Sequence, residues 1–391
     1  MTRVGITTGL AALLAILIVV SAPAFGQDAE EPIKEQSGTA YVPGEVVVAR
    51  EDGTYAVRQV QAETLGGIQE KAEEIEEAKD IIAAGPNYAY KLFYAPNDPF
   101  FDQQYNLAPA IRARGAWDYS RGEGVSIGFV DTGYDGDHPD LDSKARGDYD
   151  FVREDPVAQD FGYHGTAVVG VAAAETDNQG GIASAGFEAG FFMAKGCTDV
   201  CLSSDTAAAL DWLVDRGVKI INLSFGAEQE PPGDEVLGLA VQRAQKAGAL
   251  VIAAVGNDGV NTDSFYPAAY PGVLGVAAID QDQAPASFTN SGPVVDVAAP
   301  GVDIISTYNE HYSGNETGAL YARFGGTSYA APHVAGVAAL IKARKPGITA
   351  EGIAARIKNT AIDLGKPGRD DAYGYGLLGA RCAVAPRLDN C

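Results

Sequence analysis

The spacing of apolar residues divides the chain into three stretches. Gly9 to Val20 is an unbroken apolar run, and acidic and polar residues follow from Asp28 to about residue 40. Between 45 and 94 the pattern is mixed. Glu45–Ala49 and Val57–Val60 read as strands, while Leu65, Ile68, Ala72, Ile75 and Ala78 recur at helical spacing within about 62–83, with glutamate and lysine on the outer face. Tyr88, Tyr90, Leu92 and Tyr94 then alternate with a period of two, which predicts a strand, and Asn97-Asp98-Pro99 punctuates the chain.

From Gly124 onward short apolar runs alternate with helical patterns. Val125–Val130, Phe191–Ala194, Val218–Ser224, Leu250–Val255 and Val273–Ala278 read as buried strands; Ala207–Arg216 and Glu235–Ala247 read as helices, the second stopped by Gly248. Such alternation predicts an α/β fold, a doubly wound and mostly parallel sheet with helices on both faces, preceded by a small α+β unit. Ligands of such sheets bind beyond the carboxyl ends of the strands. Asp131, Ser224 and Asn257 all fall at such ends.

Composition adds a compartment and removes some partners. The 391 residues carry 28 basic and 52 acidic side chains, a formal charge of −24. Charge of that size argues against nucleic acid or an anionic membrane as a partner. Arg3, the apolar run to Val20 and the small residues Ser21-Ala22-Pro23-Ala24 form the pattern of a secretory signal over 1–26, cut after Ala24 or Gly26. The expectation is a secreted monomer, extracellular or periplasmic, with no membrane attachment once the signal is gone. Export permits disulfides, and the four cysteines allow three connectivities, of which local pairing, Cys197 with Cys201 and Cys382 with Cys391, is preferred.

One stretch organises the candidate chemistry: Phe324-Gly325-Gly326-Thr327-Ser328-Tyr329-Ala330-Ala331-Pro332-His333, running on into small and apolar residues. It places Ser328 at the mouth of a buried helix, where free N–H groups and the dipole favour the oxyanion formed when a serine attacks a carbonyl. A serine hydroxyl needs a base, and imidazole serves near neutral pH. Of the four histidines, His138 lies in a turn, His311 in a polar loop and His333 inside the helix after Ser328, where a satisfied buried imidazole is expected. His164, at the mouth of a small-residue helix, is the candidate base. A buried carboxylate must orient it, and Asp131 at a strand end fits. Asn257 is the candidate side-chain donor to the oxyanion, beside the backbone N–H of Ser328. One such donor contributes roughly 3–4 kcal/mol to the transition state.

Taken together, Asp131-Thr132-Gly133 with His138-Pro139-Asp140-Leu141, His164-Gly165-Thr166 and Gly326-Thr327-Ser328 through Gly336 resemble the motifs of the subtilisin-like serine peptidases, in the chain order Asp, His, Ser. The pattern is nearest the thermitase-like branch and covers the chain from about Asn97. The resemblance implies a subtilisin-like fold and a serine endopeptidase acting on polypeptides. It implies that substrate lies along Ser224, Phe225 and Gly226 as an added strand, with Gly256 also in the binding site. Two positions depart from the family. Ala167 stands where a second histidine is frequent. Phe265 stands where a small residue often forms the base of the specificity pocket, which implies a shallower pocket for small to medium side chains.

The same resemblance implies a structural calcium ion. Its ligands would be Asp98 and Asp140, the Asn178 side chain, and the carbonyls of Glu175, Gly180 and Ile182, a set of oxygens suited to that ion. It further implies that 27–94 is a propeptide, an inhibitor and folding assistant removed by self-cleavage, ahead of a catalytic domain over 95–391.

Overall fold

The apolar runs of the second half become the inner strands of one sheet, because only a parallel sheet covered on both faces buries strands with no polar alternation. A computed structural model describes residues 33–36, 39–89 and 94–385. The signal segment, Cys391, and Tyr90 and Leu92 of the predicted strand lie outside the described residues. The chain divides into two compact units, one up to residue 91 and one from residue 92.

In the first unit β2 (Thr39–Arg50) pairs antiparallel with β1 (Lys34–Gln36), β3 (Tyr55–Gln59) and β4 (Ile81–Tyr88). Helix α1 (Leu65–Glu76), capped by the Thr64 hydroxyl on Gly67 N–H, contributes Ile68 and Ala72 to a small core with Tyr41, Val46, Val48 and Ile81. The helix ends earlier than its apolar spacing predicts. Its last turn holds no basic residue, and Glu73, Glu74, Glu76 and Glu77 crowd negative charge onto the negative end of the dipole. Ile81 instead opens β4, which runs to Tyr88, and Tyr94 belongs to no described strand.

The second unit has two short helical turns, Phe101–Gln103 and Asn106–Ala110, then α2 (Ala113–Trp117), and is built on a seven-stranded parallel sheet. Its strands in chain order are β5 (Ser126–Asp131), β6 (Ala145–Asp150), β7 (Gly190–Lys195), β8 (Ile220–Leu223), β10 (Leu250–Ala254), β12 (Leu274–Ile279) and β13 (Val297–Pro300). In space they run β13-β12-β10-β8-β5-β7-β6. The first strands step from β5 to one side, and the later ones continue from β8 on the other. The order therefore reverses between β5 and β8, where an open sheet leaves a crevice at its carboxyl edge. Val130 pairs with Leu223, so Asp131 and Ser224 follow side by side at that edge.

Helices α3 (His164–Ala173) and α6 (Thr327–Arg344) pack together against the sheet; α4 (Ser203–Asp215) and α5 (Glu235–Lys246) form a second pair. The short ladder of β9 (Ala227–Glu228) and β11 (Phe265–Tyr266), the hairpin of β14 (Ile304–Thr307) and β15 (Tyr321–Phe324), and helices α7 (Ala350–Asn359) and α8 (Ala380–Val384) complete the unit. Every residue of α6 from Thr327 to Ile341 is buried. Within it His333 accepts from Asn106 Nδ2 at 2.8 Å and donates from Nδ1 to Tyr329 O at 2.8 Å. Burial pushes its pKa down to about 4, so it stays neutral under ordinary conditions. His138 is also a fully buried structural group, bound to Leu320 O and Asp140 N–H.

Candidate active site

Three short segments meet at the crevice. β5 ends in Asp131, which is buried and whose Oδ1 accepts from the Thr132 N–H and from His164 Nδ1, both at 2.8 Å. Helix α3 begins at His164 and comes this near only because the next residue is Gly165. A Cβ there would stand 2.1 Å from Gly133 O and 3.1 Å from Asp131 Oδ1. The Thr132 hydroxyl accepts from Gly165 N–H, and the buried Asp160 carboxylate accepts from Thr166, so two of the orphan donors at the start of α3 are satisfied.

The Nδ1 hydrogen bond fixes the imidazole tautomer and leaves Nε2 as the basic nitrogen. Burial pushes the His164 pKa down, but the charge of Asp131, its hydrogen bond and the more distant Asp160 together hold it above the ordinary 6.5. The ring keeps 32% of its side-chain surface exposed, toward a cleft it shares with Ser224 and Phe225.

Ser328 is the second residue of α6. Pro332, four residues on, has no N–H, so the Ser328 carbonyl receives no helical hydrogen bond from it. The Ser224 hydroxyl takes that place, donating to Ser328 O at 2.9 Å, and is itself held by Asn222 Nδ2 at 2.8 Å. In return the Ser328 hydroxyl donates to Ser224 O at 2.9 Å. The sheet edge and the helix mouth are thus interlocked through one pair of serines. Among the described hydrogen bonds, none joins Ser328 to His164; such bonds are often loose before substrate arrives. Asn257 lines one cavity with Ser328. Its Oδ1 accepts from Thr327 N–H and from the Thr327 hydroxyl at 2.8 and 2.9 Å, which orients the amide and leaves Nδ2 as its free donor.

A match to the subtilase family model covers residues 122–376. The chain belongs to the subtilase family. It is 40% identical over 277 residues to the thermitase of Thermoactinomyces vulgaris, a match covering 70% of this chain and 94% of that one. It is 36% identical over 370 residues to a thermophilic serine proteinase of Bacillus sp. (strain AK1), covering 88% of each. That match is too long to lie within the second unit alone. A solved protease of Pseudoalteromonas arctica superposes with a TM-score of 0.68 at 31% identity, covering 74% of this chain and 99% of that one. The subtilase is a serine endopeptidase, and its thermitase-like pattern agrees with these relatives.

Ser224, Phe225 and Gly226 follow β8 but are not themselves paired into a strand; Phe225 is half-buried and Gly226 exposed. Phe265 closes the space between this segment and Gly256. A Cβ on Gly226 or Gly256 would come within 2.4 or 2.6 Å of its ring. Ala167 is fully buried in α3, and its carbonyl accepts from Ser306 at 2.6 Å. Cys197 and Cys201 form a disulfide; Cys382 is buried, and its expected partner Cys391 lies outside the described residues.

The residues expected around calcium lie on segments that hydrogen bonds draw together, Asp98 and Asp140 each bonded to the 175–182 loop. Asp98 and Asp140 are both buried. Asp98 accepts from Asp177 N–H; Asp140 accepts from Ile182 N–H, Tyr321 and the Asn178 side chain. Burial raises the Asp98 pKa, Asp177 and Asn178 N–H groups oppose that, and the neighbouring Asp140 charge adds to it. Among the described hydrogen bonds, none ends on the carbonyls of Glu175, Gly180 or Ile182. Two close buried carboxylates beside three unengaged carbonyls fit a hard cation. The Asn178 amide is oriented by two bonds, its nitrogen donating to Asp140 at 2.9 Å and its oxygen accepting from Gly180 N–H at 2.7 Å, and that oxygen keeps a second lone pair for a cation. Elsewhere Asp135, Glu310 and His311, which no sequence motif connects, bring ligand atoms within 4.8 Å of one another. No helix among the described residues is long and apolar enough to cross a membrane.

Proposed function

We propose that the subtilase cleaves polypeptides through an acyl-enzyme formed on Ser328. His164 takes the hydroxyl proton as the serine attacks the scissile carbonyl and returns it to the leaving amine. Asp131 keeps the imidazole in the working tautomer and balances its charge. The carbonyl oxygen, negative in the tetrahedral intermediate, is met by Asn257 Nδ2 and the Ser328 N–H at the helix mouth. Water then repeats the sequence and releases the acid. The observation that carries this reading is the 2.8 Å pair of His164 and Asp131 at the switch point that also holds Ser328. The expected activity is release of peptides from denatured casein, stopped by a serine-directed fluorophosphonate.

Substrate lies extended along Ser224, Phe225 and Gly226, and the residue before the scissile bond points toward Phe265. The filled space there favours small to medium side chains. Replacing Phe265 by glycine is expected to raise kcat/KM for substrates with phenylalanine or leucine at that position by at least about tenfold relative to alanine. A wild type that already turns over large aromatic side chains best would contradict this.

Residues 1–26 direct export and 27–94 form a propeptide that assists folding, inhibits, and is removed by the enzyme itself. Slow long-range pairing in a parallel sheet makes such a template useful. The mature enzyme works outside the cytoplasm. Calcium is held by Asp98, Asp140, Asn178 and the carbonyls of Glu175, Gly180 and Ile182, where it neutralises two buried carboxylates and pins the loop to the domain. Chelation is expected to lower the unfolding temperature by roughly 5 °C, and Asp140→Asn to remove that response. An unfolding temperature indifferent to chelator in the wild type would exclude the site.

A further inference from the structure

Beside His164 lies a cleft of about 540 Å³ bordered by Asp131, His164 and Ser224, and its remaining wall has no role in the acyl-transfer steps. It shares Ser224 and Phe225 with the pocket closed by Phe265, but its far wall is made of Arg153, Phe161, Lys195 and the Cys197–Cys201 loop. We propose that this cleft is an acid-accepting subsite in which Arg153 receives the carboxylate side chain of the substrate residue immediately upstream of the one whose bond is cut. The proposal rests on the reading of Ser328 and His164 given above.

The position follows from strand geometry. In an extended chain, successive side chains point to opposite sides. With the scissile carbonyl between Ser328 and Asn257, the side chain of that residue faces Phe265. The side chain one step upstream then faces His164 and the cleft behind it.

The chemistry follows from the wall. In a chain of net charge −24, two cations stand on one exposed aromatic ring beside the nucleophile's base. The Arg153 guanidinium lies 3.8 Å from the centre of the Phe161 ring, and Lys195 Nζ lies 4.5 Å from it. Phe161 is 56% exposed. Lys195 is committed: its side chain is buried, its ammonium donates to Gln159 O at 2.6 Å, and Asp150 balances it at 3.4 Å. Arg153 is exposed, and among the described residues its guanidinium has no carboxylate within ion-pair distance. A planar fork of donors, set over a ring and lacking an acid, matches an incoming carboxylate.

Two acids also border the cleft. Asp131 is engaged by His164. Asp199 sits on the disulfide loop, where Cys197–Cys201 and the Thr198 N–H to Val200 O bond fix the rim. It opposes an acidic guest from the solvent side, so the preference is set by Arg153 against Asp199.

The test is hydrolysis of a peptide series that differs only in the residue upstream of the scissile one, carrying glutamate, glutamine, leucine or lysine. Ratios of kcat/KM are taken within each enzyme, for wild type, Arg153→Gln and Arg153→Glu. The wild type is expected to favour glutamate over glutamine about fivefold, the scale of one exposed ion pair. The ratio is expected to shrink at high salt, vanish in Arg153→Gln and turn toward lysine in Arg153→Glu. Equal rates for glutamate and glutamine in the wild type, or a preference that survives in Arg153→Gln, would overturn the subsite while leaving the triad intact. A wild type that cleaves none of the peptides, leucine included, would contradict the triad reading and the subsite with it.

Discussion

Replacing Ser328 by alanine is expected to lower kcat on peptide substrates by about 10⁶-fold, the scale for loss of a serine nucleophile, with KM little changed. The fold should persist. The substitution removes the Ser328 hydroxyl bond to Ser224 O but keeps the reverse bond, from the Ser224 hydroxyl to the Ser328 backbone carbonyl. That reverse bond exists because Pro332 leaves the carbonyl vacant, and alanine has the same carbonyl. The same variant should accumulate as the unprocessed chain with residues 27–94 still attached. A Ser328→Ala protein that matures normally in isolation would exclude self-cleavage, and one that keeps its activity would exclude the nucleophile.

Replacing Asp131 by asparagine is expected to cost about 10⁴-fold in kcat. The amide nitrogen can face His164 Nδ1 only if that nitrogen gives up its proton, which moves the proton to Nε2, where the base is needed. The pH profile carries a second signature. In the wild type, burial lowers the His164 pKa but the Asp131 charge and hydrogen bond outweigh it. The imidazole must be neutral to act, so activity rises with pH through its pKa, and the acidic limb of kcat/KM is expected above pH 6.5. Without the Asp131 charge, burial remains and the limb should move to lower pH. An unchanged limb in Asp131→Asn would show that the titrating group is not paired with this carboxylate.

Much of the second unit could be read from its residues because its inner strands are apolar throughout: Val125–Val130 and Leu250–Val255 need no partner to announce a buried parallel strand. Edge elements were harder. β6, Ala-Arg-Gly-Asp-Tyr-Asp, borders solvent and carries the polar residues an edge permits, so it has no strand pattern. The end of α1 is not legible because apolar spacing continues past the point where like charge stops the helix. In the crevice, residue types at strand ends pointed to Asp131, Ser224 and Asn257. The use of Pro332 to free a carbonyl for Ser224 depends on an approach of segments 104 residues apart and left no local trace. Nothing local to Arg153 in the chain marks it, because its place on Phe161 in the cleft of His164 arises only on folding.

In the proposed reaction one serine, at the mouth of α6, is the nucleophile. The most direct measurement is mass spectrometry of the processed enzyme after reaction with a serine-directed fluorophosphonate. The expected result is a single adduct on the peptide containing Ser328, formed in step with loss of casein hydrolysis and absent when His164 is replaced by alanine. An adduct on any other residue, or full peptidase activity in protein that takes no label, would contradict the account.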